Sequence, residues 1–317
     1  MEQQLHVTTP REEKRVVGLI LQTLAKYMID SNIETEFISE MKLQKIVFKT
    51  VEELDLPVTR SWYLRGCMVH PGGTLGGVNF KGKIERLIKN PEKLVINHDI
   101  YSCFDNIRVR NKILLVRKDR FLRELYSTME PNRFRSEYIP NNELILALGD
   151  MRRGLFKGYN EMISENISNL ELGLQGDDLF NGISKEFYEF LYFMEDTCIE
   201  IEGAVEDGAE TTQDEVNFFE SLSDVYYKTV WIEPASIISI ETVKGLSADR
   251  VVEQRQGYLS LAAWKIREPL NELKQKADEL NLSLSESNIE KAYLKSREQI
   301  GIDACKSLTE IWKIYAK

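Results

Sequence analysis

The chain has 317 residues, a formal net charge of −10, and 43% hydrophobic and 29% charged residues, which is typical of a soluble globular protein. This length allows one large or two ordinary domains. The sequence contains no apolar run long enough for a membrane helix and no basic-then-apolar leader, and its excess of acidic residues disfavours nucleic acid as the default partner. The cysteines are widely scattered, which argues against a disulfide framework or a clustered zinc site. We therefore expect a cytoplasmic protein with reduced thiols; the cysteines are Cys67, Cys103, Cys198 and Cys305.

The first predicted element is a helix that ends near Asp30. Thr9 is a suitable N-cap, Pro10 suits the first helical position, and Glu12 stands where a capping box places its carboxylate. A second helix is predicted over residues 36–54, with an apolar stripe on one face and Pro57 after its end. Both helices have the apolar spacing of amphipathic elements that cover a core.

A glycine-rich stretch follows at residues 66–82, and its glycine density predicts an exposed, pliable loop. A helical segment is predicted from Ile84, and another, with a strong basic bias, over residues 106–129. The turn-forming residues at 130–132 and 139–142 then predict a soft domain boundary. We accordingly expect an N-terminal helical domain at residues 1–138 and a C-terminal helical domain at 139–317.

The C-terminal half is predicted to be helical almost throughout. The expected helices cover residues 143–174 with a break near Gly154 and Gly158, then 184–202, 212–231, 247–280 with a bend at Pro269, and a last helix from Ser285 or Ser287 to Tyr315. The 184–202 helix is predicted to have an apolar face from Phe187 to Met194, and Thr212 with Glu215 forms a second predicted capping box. The last two helices are predicted to form an antiparallel helical hairpin. The isoleucine-rich run at 237–240 fits a strand or a helix equally well. The predicted fold class is mostly α.

Two segments of the N-terminal half together resemble a known family. LQKIVF at residues 43–48 is similar to the opening helix of the Panacea antitoxin-like (SocA-type) domain, and WYLRG at 62–66 is similar to its aromatic segment and glycine turn. The chain departs from that pattern at Arg65, where the family has tyrosine, and at Cys67, where it has proline. The resemblance directly covers about thirty residues, and by implication the first 100 to 130.

The resemblance implies a non-enzymatic module that binds and masks a partner protein, such as a toxin. It carries over no catalytic residue, no cofactor and no metal ligand. Tryptophan, tyrosine and arginine are enriched among residues that dominate binding energy at interfaces, so the residues predicted to bind the partner are Trp62, Tyr63, Arg65 and Gly66. The sequence leaves open whether Trp62 and Tyr63 are exposed contact residues or core residues. A homodimer is also compatible with the apolar C-terminal helices.

A nucleic-acid-binding regulator is an alternative. Concentrated positive charge occurs in the predicted 108–123 helix, where basic side chains could contact phosphates and Phe121 and Tyr126 could stack on bases. The other interpretation of this helix is a solvated face above an apolar stripe. The candidate nucleic-acid-binding residues are Arg108, Arg110, Lys112, Arg117, Lys118 and Arg120.

An unrecognised hydrolase is a further alternative. A cysteine and a histidine that are distant in sequence can meet in space, so Cys67 or Cys103 could pair with His70 or His98. The sequence supplies no motif for such a nucleophile. The acidic run at residues 195–210 lacks a neighbouring histidine, which favours solvated charge over a metal cluster.

Overall fold

The computed structural model describes residues 8–74, 79–110, 118–127, 132–284 and 288. The chain is mostly helical, which confirms the predicted fold class. Within the described residues the β-structure is a two-stranded antiparallel hairpin, β1 (Arg60–Tyr63) and β2 (Gly66–Val69). The helices are α1 (Pro10–Asp30), α2 (Glu40–Glu53), α3 (Phe80–Ile88), α4 (His98–Arg110), α5 (Lys118–Ser127), α6 (Arg135–Met151), α7 (Asn160–Gln175), α8 (Lys185–Glu206), α9 (Gln213–Val225), α10 (Ile232–Thr242), α11 (Ala248–Leu259) and α12 (Ala262–Glu279).

Helix α1 begins and ends where its sequence predicts. The Thr9 hydroxyl accepts a hydrogen bond from the Glu12 backbone N–H, and the Glu12 carboxylate accepts one from the Thr9 backbone N–H. This reciprocal capping box satisfies donors that a helix start otherwise leaves open. A second capping box, between Thr212 and Glu215, opens α9 in the same way.

Helix α2 is shorter than predicted, because residues 35–37 form a separate 3₁₀ turn and the Ser39 side chain caps the α-helix proper. A connection containing Pro57 leads into β1. The hairpin register pairs Trp62 with Cys67 and Tyr63 with Gly66. A later segment extends this small sheet, since Arg60 exchanges two backbone hydrogen bonds with Lys244, of 2.8 and 2.9 Å.

The prediction of an exposed loop at residues 66–82 is wrong for its first half. Residues 66–69 form β2, residues 71–73 form a buried 3₁₀ turn, and α3 already begins at Phe80. Glycine density reports conformational freedom but does not report burial, and here tertiary contacts hold the turn. Residues 75–78 of the stretch lie outside the described residues.

The proposed punctuation at residues 139–142 is also wrong. Pro140 lies inside α6, near the start of the helix. Pro140 is the sixth residue of α6 and has no backbone N–H to donate to the Ser136 carbonyl, yet α6 continues past it to Met151. The break predicted near Gly154 and Gly158 is present between α6 and α7.

The described chain falls into two compact units that are not continuous in sequence. Unit 1 comprises residues 1–142 and 231–262, and unit 2 comprises residues 143–230 and 263–317. The first division therefore lies within α6, and the 231–262 segment, which carries α10 and α11, belongs with the N-terminal part. The predicted boundary at 138/139 stays a prediction.

Unit 1 buries an aromatic cluster around Tyr138. The Tyr138 ring lies 5.7 Å from the Trp62 ring, 5.2 Å from the Tyr126 ring and 5.8 Å from the Trp231 ring, measured between centroids. Its hydroxyl donates a 2.9 Å hydrogen bond to the Tyr63 carbonyl. Helix α10 contacts both β1 and α11, and α1 contacts α3 and α4. The core is thus assembled from segments far apart in sequence.

Unit 2 is built around α8. The apolar face that the sequence predicts on this helix, from Phe187 to Met194, is buried. The Phe190 ring stacks against Tyr226, with 6.2 Å between centroids, and Phe156 contacts Phe219 at 5.1 Å. Tyr226 belongs to a π-helical turn, Tyr226–Val230, that follows α9 directly.

The last described part of the chain decides one open alternative and departs from one prediction. The isoleucine-rich run lies inside α10, so the helical alternative is the one realised. The long helix predicted from residue 247 is divided at residues 260–261 into α11 and α12, whereas Pro269 lies within α12. The last predicted helix, and with it the second arm of the hairpin, lies outside the described residues.

Among the residues that the structure describes, none of the helices combines the length and the apolar composition that spanning a bilayer requires.

Candidate functional site

The two segments that carry the family resemblance lie against each other in unit 1. The Lys45 ammonium on α2 donates a 2.5 Å hydrogen bond to the Cys67 carbonyl on β2, and the Phe48 ring contacts the Trp62 ring at 6.2 Å. Complete burial lowers the pKa of Lys45 to about 8. Lys42 and Gln44 are buried as well. The LQKIVF segment is therefore part of the core, including polar positions that the sequence analysis placed outside the apolar stripe.

Trp62 and Tyr63 are core residues. Their exposed fractions are 5% and 8%, and the Trp62 backbone N–H donates a 2.9 Å hydrogen bond to the Thr242 hydroxyl of α10. The Arg255 guanidinium lies 3.2 Å from the centroid of the Tyr63 ring, on its face. These positions settle the question left open by the sequence. In this conformation neither side chain presents a surface to a partner, so their predicted role in direct partner contact lacks the exposure it requires.

Gly66 is required by the hairpin. Its φ is +89°, and a Cβ built there would lie 2.9 Å from Trp62 Cζ3 and 3.1 Å from Tyr126 Cε1. Arg65, in the same turn, is half-buried and takes part in interactions of its own. The turn is thus a packed part of unit 1, and a binding role for Arg65 and Gly66 stays a prediction.

A chain of buried polar side chains runs next to the hairpin. Ser61 Oγ lies 2.8 Å from His70 Nε2 and 2.9 Å from Ser239 Oγ, and Arg255 Nε donates to Ser239 Oγ over 3.4 Å. Burial lowers the pKa of His70 to about 3, with a further lowering by the Arg255 charge and a smaller opposite effect of the Thr74 backbone. His70 is consequently neutral at pH 7 and acts as a hydrogen-bonding element of the core.

These side chains do not form the accessible, activated nucleophile that the hydrolase alternative requires. Ser61 and His70 have the separation of a nucleophile and its base, but they are 1% and 0% exposed and so do not meet a substrate in this conformation. Burial raises the pKa of the Cys67 thiol to about 11, which is the reverse of activation. Cys103 is buried in α4, and His98 is exposed at the start of that helix.

Glu13 is the second buried polar centre. Its carboxylate accepts hydrogen bonds from the Thr59 hydroxyl at 2.6 Å, from the Ser247 hydroxyl at 3.3 Å and from the Gly72 backbone N–H. Thr59 Oγ1 also accepts the Ser247 backbone N–H at 2.8 Å. One carboxylate thereby ties α1, the start of the hairpin, the 71–73 turn and the segment before α11. This contact orders the glycine-rich turn and directs its amide inward.

The basic segment remains largely a sequence prediction. Lys112 and Arg117 lie outside the described residues, and only the helical backbone is described for Arg108, Arg110, Lys118 and Arg120. Arg123 is exposed, whereas Leu122, Leu125 and Tyr126 are buried, so α5 is amphipathic. For the acidic run at residues 195–210, the described side chains form no group of three or more potential metal ligands.

A groove lies between α1 and α3 of unit 1. It has a volume of about 530 Å³. Gly18, Leu21 and Gln22 of α1 form one wall, and α3 with the turn after it forms the other. The residues of this second wall are Lys83, Arg86, Leu87, Asn90 and Lys93.

An exposed apolar pair lies beside this groove. Val95 and Ile96 are 58% and 40% exposed. The Val95 backbone N–H donates a 3.2 Å hydrogen bond to Oε1 of Gln22, which lines the groove, and the Asn97 backbone N–H donates one of 3.2 Å to the Thr23 hydroxyl. The segment is therefore fastened along α1 while its two apolar side chains face solvent.

Sequence reasoning missed both features. The sequence analysis assigned no role to the basic residues of α3, and Val95 and Ile96 fall in a connection without periodicity. The available indication was a pair of adjacent β-branched residues shortly before the start of a helix. The groove itself has no sequence pattern, because it depends on how α1 and α3 meet.

Comparison with protein families gives one match. The family model described as a domain of unknown function (DUF8098) matches residues 5–81 and 78–301. The chain belongs to this family. The DUF8098 match includes residues of both compact units. Neither the curated proteins nor the solved structures yield a match.

Proposed function

We propose that this chain is a cytoplasmic, non-enzymatic protein-interaction module that binds and masks a partner protein. The partner-binding surface is the exposed pair Val95 and Ile96 together with the adjoining groove between α1 and α3. The observation that carries the proposal is that Val95 and Ile96 are exposed while hydrogen bonds hold the backbone of their segment against α1. The two side chains form a small apolar surface next to a groove with basic walls, and apolar patches rimmed by polar residues mark interaction sites.

The backbone contacts make this surface preorganised. Hydrogen bonds to Gln22 and Thr23 hold the segment against α1 from one side, and Oδ1 of Asn97 accepts the Ile100 backbone N–H at 3.0 Å at the start of α4. A surface that is ordered before binding loses less conformational entropy when the partner arrives. This favours a stable complex of the kind that masking a partner requires.

The resemblance to Panacea-type antitoxin domains supports the same class of function. The residues that carry it form the core under the hairpin, so they contribute the scaffold of the module. In this proposal Trp62, Tyr63, Arg65 and Gly66 hold the fold, and the partner is contacted by the outer surface of α1, α3 and the segment between α3 and α4. A toxin is the partner class that the resemblance suggests.

The test is affinity capture of the partner from the native host, followed by reconstitution of the complex from purified proteins. The full-length wild type is compared with Val95→Asp and Ile96→Asp. We expect each variant to bind the purified partner about tenfold or more weakly, because a carboxylate replaces buried apolar contact at the interface. Binding is measured by calorimetry.

Leu172→Asp is the matched control, since Leu172 is 70% exposed but belongs to unit 2. This variant should bind as the wild type does. The proposal is wrong if the purified partner binds Val95→Asp and Ile96→Asp with wild-type affinity, or if a purified, correctly folded chain turns over a substrate that the partner supplies.

A further inference from the structure

We infer that the groove between α1 and α3 receives an acidic segment of the partner protein, and that an apolar side chain of this segment contacts the apolar part of the groove lining. The inference rests on the proposed function and adds the chemistry of the partner. Three observations support it: the positive charge of the groove walls, the apolar part of the lining, and glycine at position 18.

The groove has a local charge opposite to that of the chain. Residues 80–93 contain five basic residues and two acidic residues, which gives +3, whereas the whole chain carries −10. Three of the basic side chains line the groove and are exposed: Lys83, Arg86 and Lys93. Within the described part of the chain none of these three takes part in an ion pair. Their charge is therefore available to a ligand.

The guanidinium of Arg86 is oriented by its own helix. Its Nε donates a 3.0 Å hydrogen bond to the Gly82 carbonyl one turn earlier. This contact leaves the terminal nitrogens of the guanidinium free for an acceptor. Two terminal N–H groups of arginine match the two oxygens of a carboxylate, so this side chain is suited to a glutamate or an aspartate.

The lining of the groove also has an apolar part. Leu21 and Leu87 contribute apolar side chains from the two walls, and Gly18 adds no side chain beside them. A volume of about 530 Å³ lies within the range of clefts that enclose a ligand or several side chains. A lining that combines apolar and basic side chains fits a segment that alternates acidic and apolar residues. Nucleic acid instead favours an extended positive track with aromatic platforms.

Gly18 keeps the groove open. It lies in the middle of α1, where glycine is less favourable than alanine, and a Cβ added there would meet no atom within 4 Å. Neither steric crowding nor backbone conformation therefore requires glycine at this position. Gly18 lines the groove, so glycine at this position leaves that space open to an occupant.

The experiment uses the full chain and three fluorescein-labelled probes, with binding followed by fluorescence anisotropy. The first probe is a peptide of alternating glutamate and leucine. The second has lysine in place of glutamate, and the third is an oligothymidylate. We expect the acidic peptide to bind, the basic peptide not to bind, and the affinity for the acidic peptide to fall as salt is added.

Two kinds of variant then locate the site. Gly18→Phe fills the groove without changing its charge, and the double variant Lys83→Glu, Lys93→Glu reverses its charge without filling it. Each should weaken binding of the acidic peptide at least about tenfold. Gly257→Phe is the matched control, because Gly257 lies in α11 of the same unit and a Cβ there also meets no atom within 4 Å. The control should bind the peptide as the wild type does.

Circular dichroism and the unfolding midpoint establish that each variant is folded. Gly18→Ala provides a second measurement if Gly18→Phe fails to fold. It should raise the unfolding midpoint and keep peptide binding within about twofold, since a methyl group occupies little of the groove.

Several outcomes would overturn the inference. These are equal binding of the acidic and basic peptides, preferential binding of oligothymidylate, wild-type affinity in folded Gly18→Phe, and a homodimer that Gly18→Phe dissociates. If one of them occurs while Val95→Asp and Ile96→Asp still lose the purified partner, the groove inference alone fails. The other case is that those two variants bind the purified partner as the wild type does while the acidic peptide still binds the groove. The proposed role of Val95 and Ile96 is then wrong, and the groove inference is retained.

Discussion

At the scale of single residues, the unusual feature of this protein is the number of polar side chains that it buries without an opposite charge beside them. Lys45 donates to a carbonyl, His70 contacts a serine, and Glu13 accepts from hydroxyl and amide groups. Burial of such groups is costly unless each is hydrogen-bonded, and once bonded it fixes a unique arrangement. These residues therefore give the most direct tests of the core.

The lowered pKa of Lys45 predicts an alkaline dependence of stability. Below about pH 8 the lysine is protonated in both states, but between about pH 8 and its ordinary value of 10.5 only the unfolded chain keeps the proton. The free energy of unfolding therefore rises with pH across this window, by at most about 3 kcal/mol. We expect the wild type to gain stability relative to Lys45→Met between about pH 7 and about pH 9.

Urea unfolding of the two proteins at each pH measures this difference. The quantity compared is the difference between the two proteins, because both contain the Cys67 thiol, whose raised pKa has the opposite effect as the pH approaches 9. A difference between wild type and Lys45→Met that does not change with pH would mean that Lys45 is hydrated in solution.

His70 gives the corresponding prediction on the acid side. Its pKa in the folded chain is about 3, mainly because of burial, against an ordinary value of 6.5. The stability associated with the neutral ring is fully present above pH 6.5 and is lost as the pH falls toward 3. We expect His70→Gln to be less stable at neutral pH but to lose stability less steeply in acid. Urea midpoints between about pH 7 and about pH 4 check this, and parallel curves for the two proteins would contradict it.

At the scale of elements, Glu13 shows how one side chain can hold several segments together. It joins α1 to the hairpin, to the glycine-rich turn and to the segment before α11. The same region requires glycine at residue 245, where a Cβ would lie 2.4 Å from Thr59 Cα. The elements of unit 1 are thus fixed by specific contacts as well as by apolar burial.

Removal of this carboxylate should be strongly destabilising. Glu13→Ala leaves three buried donors without their acceptor, and we expect it to cost about 3 to 5 kcal/mol in the free energy of unfolding. The exposed neighbour provides the control: Arg15→Ala should change stability by no more than about 0.5 kcal/mol. Urea denaturation followed by circular dichroism measures both. A loss below about 1 kcal/mol in Glu13→Ala would show that water replaces the carboxylate.

Elements with strong local chemistry could be read from the sequence. The capping boxes at Thr9 and Thr212 and the apolar face of α8 are local features, and the structure has them where they were expected. Elements whose state depends on distant contacts could not be read. The 71–73 turn looked like an exposed loop because the sequence does not reveal that Glu13 would bind it, and Pro140 looked like a stop although α6 accommodates it.

At the scale of the whole molecule, the decisive feature is that unit 1 is completed by a segment from late in the chain. Trp231 of that segment is fully buried, and its indole N–H donates a 2.8 Å hydrogen bond to the Leu64 carbonyl. Helix α10 covers β1, and Ser239 of α10 completes the polar chain that begins at His70. The first 138 residues thus lack part of their own core.

We therefore expect the fragment 1–138 to misfold when it is produced alone. Without residues 231–262, apolar surface around β1 and Tyr138 is exposed, and Ser61 and Glu13 lose their contacts with Ser239 and Ser247. The fragment should aggregate or unfold without a cooperative transition, whereas the full chain under the same conditions should show one. Size-exclusion chromatography and thermal circular dichroism compare them. A monomeric, cooperatively folding fragment would instead support the continuous domain predicted from the sequence.

The sequence by itself determined the helical class and the capped helix starts, because these depend on neighbouring residues and on apolar periodicity. Tertiary structure alone decided that Trp62 and Tyr63 are core, that Glu13 orders the glycine-rich turn and that a basic groove lies between α1 and α3. These features depend on contacts between residues that are far apart in the chain. Local preference does not specify such contacts, since burial and pairing are properties of the assembled core.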